Sequence, residues 1–535
     1  MKGMESINIL FFLSSIWILS SALDTIPVNQ PLTDGSIITS SGGKFRLGFF
    51  TPGTSGKWYL GILFNKVTVQ TVVWVANRDS PLNRTDGMLN FTRQGILTLL
   101  NGSGRVIWSS SATKHVQNPV AQLLDSGNLV VRDAAENYLW QSFDYPCDTA
   151  LPGMKLGVDL KTGFRGFLSS WKSTNDPSKG EFSWVIDLRG YPQPFVMNGS
   201  TESFRSGPWN GLAFSVAPSQ LPSPGYNYTY VSDTEEVSFM YQLTDSSILA
   251  RVVMQLNGVL QLSIWNNQTQ NWDGFVSVPA DNCDIYGQCH SYGLCNSGNS
   301  PNCRCLDYFE PKDPTEWARG NWSKGCVRKT SLNCQKEVKF LKYPGIKLPD
   351  TRFSSYSRGV SLKACEELCL TNCSCMAYAN PDITGTNEVC LLWFNELMDI
   401  REFGGSGQDI YIKLSSSELE NPTTTGKVKK LRISLPLAAS TLLLALCLIL
   451  YLRQKKKDQN QQHFSKGRGI RSSEMFCTNK SKDDELDLPL FDFETISHAT
   501  NNFSLSNKLG EGGFGPVYKV TMLTATLSVL SKLSA

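Results

Sequence analysis

Three groups of residues in this 535-residue chain have types and spacings that point to chemistry. The run Gly510-Glu511-Gly512-Gly513-Phe514-Gly515-Pro516-Val517 fits G-x-G-x-x-G-x-V. Glycines at that spacing let backbone N–H groups approach phosphate oxygens, and Val517 would pack on a nucleotide base. The second group is cysteine: thirteen of fifteen precede residue 433, and all of those but Cys147 fall within 283–390. Clustered cysteines in a secreted segment form disulfides. The third group is asparagine. Asn83, Asn90, Asn101, Asn198, Asn227, Asn267, Asn321 and Asn372 each open an N-x-S/T glycan acceptor pattern.

Phosphate chemistry belongs in the cytosol, and disulfides and glycans belong outside it, so the chain must cross a membrane. Residues 433–452, ISLPLAASTLLLALCLILYL, carry no charge. Twenty residues suffice to span a bilayer core of ~30 Å. Nine leucines and two isoleucines favour insertion by about 5 kcal/mol. Basic flanks tie on the two sides, and Lys466, Arg468 and Arg471 tip the helix towards a cytosolic C-terminus. Residues 1–22 read as a signal peptide, with Lys2, an apolar run and the small residues Ser20-Ser21-Ala22. An uncleaved anchor is the other reading. Either way 23–432 enters the secretory lumen, predicting a single-pass type I protein of the plasma membrane. Asn479 and Asn502 also match the acceptor pattern but should be cytosolic and bare. The formal net charge of +3 says nothing about partners, but the basic residues are not gathered into a stripe and most fall on the luminal side, so no nucleic-acid partner is expected. The expected partners are the membrane and an extracellular ligand, peptide or glycan.

From 23 to 150 the pattern is short strands such as KFRLGFF, YLGILF and TVVWVAN between Gly, Asn, Asp and Pro turns, an all-β signature. VVWVANRDSPL (72–82), AQLLDSGNLVVRD (121–133) and WQSFDYPCDTALPGM (140–154) resemble the bulb-type lectin domain. That resemblance implies a sugar site of the form Q-x-D-x-N-x-V-x-Y. Here the positions hold Leu124, Ser126, Asn128, Val130 and Arg132, and a second copy holds Thr92, Gln94, Ile96, Thr98 and Leu100. Without the amide and carboxylate that replace water on a sugar, this strand is expected to bind no mannose tighter than millimolar. Residues 151–278 continue in strands, a second aromatic-rich β-domain whose tryptophans belong to its core. FRSGPWNG (204–211) and the stretch ending NNQTQNW resemble the S-locus glycoprotein domain.

Residues 279–326 space six cysteines as C-x5-C-x5-C-x7-C-x-C-x20-C, an EGF-like framework in a module too small to bury a core of its own. Spacing alone leaves fifteen pairings open, and zinc is the rival for the C-x-C beside His290. The resemblance implies Cys283–Cys295, Cys289–Cys303 and Cys305–Cys326. The acidic triplet of calcium-binding versions is absent, so no metal is expected. Residues 334–414 hold SLKACEELCLTNCSC, which opens on Ser361 as a helix cap. With CLLWFNELMDIR and QDIYIKL this region resembles the PAN/apple module, one helix on a sheet. That resemblance implies Cys365–Cys390 and Cys369–Cys375, leaving Cys334–Cys373. Cys147 is odd in number, as a free buried thiol or an intermolecular bridge.

Residues 453–503 form a cytoplasmic juxtamembrane segment. At 504–535 the glycine run follows LPLFDFETISHATNNFS, which resembles the lead-in to plant receptor-like kinases. With the outer modules in order, the chain resembles the S-domain (G-type lectin, S-locus glycoprotein) receptor-like serine/threonine kinases, truncated just after the glycine-rich loop. Gly510, Gly512, Gly515 and Val517 would be a partial nucleotide site. The intact family uses ATP and magnesium; the chain as written has Lys532 one or two residues from the ATP-binding lysine position, and no catalytic H-R-D or D-F-G. No catalytic residue and no cofactor is therefore assigned, and the two glycine-loop strands are expected to lack sheet partners.

The expected fold class is a multidomain single-pass membrane protein. Its ectodomain is mainly β: a bulb-type lectin β-prism, an S-locus glycoprotein β-domain, an EGF-like module and a PAN/apple α+β module. One transmembrane helix and a fragment of a protein-kinase N-lobe complete it. The expected function is cell-surface recognition, with family roles such as pollen recognition or defence signalling and pairing with S-domain receptors as homo- or heterodimers. An active kinase with a longer sequence and a membrane-tethered lectin are the competing readings.

Overall fold

The computed structural model describes residues 24–110, 117–215, 225–332, 337–403, 407–416, 504, 507–512, 515–522 and 525–528. The signal peptide, the 433–452 span, Cys334 and Lys532 lie outside the described residues. Among the described residues no helix is long and apolar enough to cross a membrane. The chain divides into two compact units, Met1–Thr424 and Thr425–Ala535.

The first unit opens with three four-stranded antiparallel sheets. The innermost in sequence is Ile38–Thr39, Phe45–Phe50, Tyr59–Phe64 and Val72–Val75. Around it sits the sheet of Leu32–Thr33, Met88–Phe91, Leu97–Leu100 and Val106–Ser109. The outermost pairs Thr25–Ile26 with Val120–Leu123, Leu129–Arg132 and Tyr138–Gln141. Alternating side chains point inward, so Ile38, Leu47, Ile62, Leu89, Leu97, Leu99, Ala121 and Leu123 are buried where the sheets meet. This is a β-prism.

Residues 149–278 repeat the same nested plan, which the strand pattern alone did not disclose. Leu168–Ser173, Asp176–Asp187, Gln193–Asn198 and Thr201–Arg205 form the inner sheet. Leu156–Asp159 and Arg165–Gly166 join Tyr226–Ser232 and Glu236–Leu243. The short strand Thr149–Ala150 closes against Ala250–Met254, Leu260–Asn266 and Asn271–Val278. The second prism therefore begins inside the span assigned to the first module. Trp184 and Trp265 are buried, while Trp171, Trp209 and Trp272 pack half-buried against a cluster continuous through both prisms.

The cysteine-rich modules are not separate beads. Gly293–Cys295 pairs with Cys303–Cys305 and also runs parallel to Ile400–Glu402. One eight-stranded sheet thus joins the EGF-like hairpin to Val338–Lys347, Ser354–Arg358, Ala377–Ala379, Val389–Trp393 and Gln408–Ser415. Helix Leu362–Thr371 lies on it; Ser361 Oγ accepts from Ala364 N at 3.3 Å, the expected cap, and Cys365 and Cys369 face inward fully buried.

In the second unit Lys508–Gly512 pairs antiparallel with Gly515–Met522. The expectation of two strands without further partners is corrected: Ala525–Ser528 pairs with Gly515–Met522 from Lys519↔Ser528 to Met522↔Ala525. The Thr- and Leu-rich run TMLTATLS suits a strand.

Candidate functional site

The second prism, the EGF-like hairpin and the C-terminal sheet meet on a buried network of three cations and three carboxylates. Arg205 ends strand Thr201–Arg205 and is wholly buried. Its Nε donates to Asp399 Oδ2 at 2.7 Å, and its other nitrogens reach Gln193 Oε1 at 2.9 Å and the carbonyls of Leu348 and Asp399 at 2.7 Å. Lys347 Nζ lies 3.0 Å from the same Asp399 oxygen. Burial pushes the Lys347 ammonium down, and Asp399 partly restores it. Asp350 accepts from Gln193 Nε2 at 2.7 Å, Tyr286 OH at 2.6 Å and Arg352 Nε at 2.9 Å. Burial alone would raise the Asp350 carboxyl, but the Arg205 charge and the Arg352 and Tyr286 hydrogen bonds hold it at about 2. Arg352 also pairs with Glu202. A second set clamps Arg401 between Asp281 and Asp284. Buried charges of this kind are costly alone and tolerable only when matched, so the modules are fixed relative to one another.

That rigidity shapes a cleft of about 550 Å³ between the second prism and the C-terminal sheet, within the usual range for ligand sites, which favour domain boundaries. Trp209 and Tyr230 stack as one wall, with centroids 5.3 Å apart and planes at 24°. Tyr230 OH is buried without a hydrogen-bond partner. Arg358, which donates to Ser232 Oγ at 2.9 Å, and the exposed Glu388 supply opposite charges. The loop at the other wall is held rigid: Asp382 accepts from Thr384 N at 2.7 Å and from Asn387 Nδ2 at 2.7 Å. It docks on the prism through Ile383 N to Asn210 O at 2.9 Å. Gly211 permits the approach, since a Cβ there would stand 2.8 Å from Thr384 Cγ2 and its φ is +97°. The FRSGPWNG stretch therefore has two jobs: Arg205 anchors the network, and Trp209 and Gly211 form the cleft. Its aromatic residues were legible as a motif; its role was not, because Asp399 lies 194 positions away in sequence.

The structure joins Cys283 to Cys295, Cys289 to Cys303, Cys305 to Cys326, Cys365 to Cys390 and Cys369 to Cys375. Cys373 is also disulfide-bonded, while Cys334 lies outside the described residues. Cys289, Cys295 and Cys303 lie close together, but every one of these sulfurs is bonded to another. Cys147 is a free thiol, 2% exposed, and accepts from Val75 N at 3.3 Å. Asn83, Asn198, Asn227, Asn267, Asn321 and Asn372 are exposed, and Asn90 and Asn101 half-buried.

At the lectin-type strand the retained pair faces inward. Asn128 Nδ2 donates to Gln141 Oε1 at 2.8 Å, and its Oδ1 accepts from Ser142 Oγ at 3.1 Å and Phe143 N at 3.2 Å. Val130 is fully buried, and Arg132 is drawn to Glu136 and Gln122. In the second copy Thr92 Oγ1 accepts from Ile96 N at 3.2 Å. These groups hold the strand to its neighbours. In the glycine run, Gly510 pairs with Val517 and Gly512 with Gly515, bringing the loop residues together at a hairpin end.

Residues 71–172 match the D-mannose binding lectin family, 204–313 the S-locus glycoprotein domain and 334–400 the PAN-like domain. The S-locus-specific glycoprotein S6 of Brassica oleracea is 38% identical over 423 residues, 77% of this chain and 97% of that protein. The chain belongs to the S-domain receptor-kinase family. Two further members are from Arabidopsis thaliana. The receptor-like serine/threonine-protein kinase SD1-8 is 39% identical over 98% of this chain and 64% of its own length. The G-type lectin S-receptor-like serine/threonine-protein kinase SRK is 38% identical over 98% and 63%. The chain thus spans just under two thirds of these kinase members and nearly all of the S-domain glycoprotein. The S-domain match over 204–313 covers the strand end, Trp209 and Gly211 from which the network and the cleft are built.

Proposed function

We propose that this S-domain chain is a cell-surface recognition receptor. It is held in the plasma membrane as a type I protein by residues 433–452 and binds an extracellular ligand in the cleft walled by Trp209, Tyr230, Arg358 and Glu388. The observation that carries this reading is the cleft itself. It is roomy, aromatic and bipolar, and it is built between modules that a buried charge network holds rigid. Preformed sites of this kind bind without the cost of ordering their walls. The hairpin around Gly510–Gly515 is read as the opening strands of a kinase N-lobe, facing the cytosol. The tethered-lectin reading loses support at Asn128, Val130 and Arg132, whose side chains are buried or bonded within the strand and its neighbours. Surface biotinylation of cells producing the full chain with a C-terminal epitope tests the topology. The protein should label on intact cells, while the epitope should become antibody-accessible only after permeabilisation. An epitope reachable on intact cells would overturn the reading.

A further inference from the structure

A second pocket, of about 470 Å³, lies on the second prism beside its junction with the first. Three half-buried side chains line it without full partners. Arg251, from strand Ala250–Met254, lies with its guanidinium 4.5 Å from the Trp272 ring centroid, and its Nε is buried without a hydrogen-bond partner. It belongs to no ion pair among the described residues. Trp171 Nε1 is likewise buried and unpartnered. Asp148 accepts a single side-chain hydrogen bond, from Thr149 Oγ1 at 3.0 Å. Opposite charges thus line one cavity without touching, and the rim adds the exposed Thr174 and Asn257.

The chemistry of this set selects its occupant. An anion would satisfy Arg251 and be repelled by Asp148, and a cation would do the reverse. A hydroxyl accepts from the arginine and donates to the aspartate at once, and several adjacent hydroxyls would also use the Trp171 N–H and the rim amide. We propose that this pocket binds a saccharide unit through Arg251 and Asp148. It shares no residue with the lectin-type strand 124–132 or with the inter-module cleft, and it stands independently of the receptor reading.

The test is saturation-transfer NMR on the full chain in detergent. The probes are the methyl glycosides of glucose, galactose and mannose, with sodium acetate and sodium phosphate as anion probes. At least one glycoside should bind with millimolar affinity. Arg251→Gln and the rim change Asn257→Ala should each weaken it tenfold or more, while Arg132→Gln on the lectin-type strand leaves it unchanged. Asn257 sits in an exposed turn, so its variant separates lost binding from lost folding. Absence of glycoside binding would overturn the proposal. So would binding that survives both pocket substitutions, binding lost with Arg132→Gln, or Arg251-dependent binding of phosphate or acetate in place of the glycosides.

Discussion

At the scale of residues, the decisive ones are buried charges rather than exposed motifs. Arg205 is wholly buried and serves Asp399, Gln193 and two carbonyls. Removing it leaves the buried Asp399 with only Lys347 and the Gly287 N–H. Arg205→Met is expected to lower stability by about 3–5 kcal/mol, read as a lower urea midpoint or failed secretion; an unchanged midpoint would refute the network's role. Asp148 behaves in the opposite sense. Burial pushes its carboxyl up to about 6, against about 3.9 when unfolded. The folded state therefore binds the proton more tightly, and its stability falls as pH rises from about 4 to 6. Asp148→Asn should melt above the wild type at pH 7.5, with the gap closing by pH 4. Scanning calorimetry at the two pH values decides, and a gap independent of pH would contradict the assignment. None of this was legible in the sequence, because Arg205 and Asp148 carry no local sign of burial and Asp399 lies 194 positions from Arg205. The disulfide cysteines were legible as a group from their clustering within 283–390, and their pairing through the resemblance to EGF-like and PAN modules.

At the scale of elements, alternation and turn residues disclosed strands, and Ser361 disclosed the helix start. Ser361→Ala should cost about 1 kcal/mol. What pattern could not disclose is which strands pair across modules. Leu294↔Ile400 is a parallel contact of two residue pairs, too short to leave a periodic signature. It predicts that residues 334–416 produced without 279–333 expose an unpaired sheet edge. Light scattering should show that fragment to associate, while 279–416 should not; a monodisperse short fragment would count against the shared sheet. Gly211 gives the sharper test at the cleft. A side chain at φ +97° that also meets Thr384 and Asp382 is expected to cost about 1–3 kcal/mol. In Gly211→Ala the thermal midpoint should fall, and hydrogen exchange should rise first at 382–388. The second prism escaped sequence reading for a related reason: its strands repeat the nesting of the first, not its residues.

At the scale of the whole molecule, two prisms and one composite sheet belong to one compact unit tied together by buried salt bridges. Among the described residues the disulfides lie on that unit, together with the exposed acceptors Asn83, Asn198, Asn227, Asn267, Asn321 and Asn372. Beyond residue 453 the same pattern occurs at Asn479 and Asn502, where the account demands a cytosolic, unmodified side chain. Glycan-site mapping by mass spectrometry of the full chain from a secretory host therefore reads both sides of the membrane in one measurement. Predicted is glycan on the exposed outer asparagines and none on Asn479 or Asn502. Glycan on either of those two, or a chain bare throughout, would contradict a cell-surface receptor whose outer modules face the ligand.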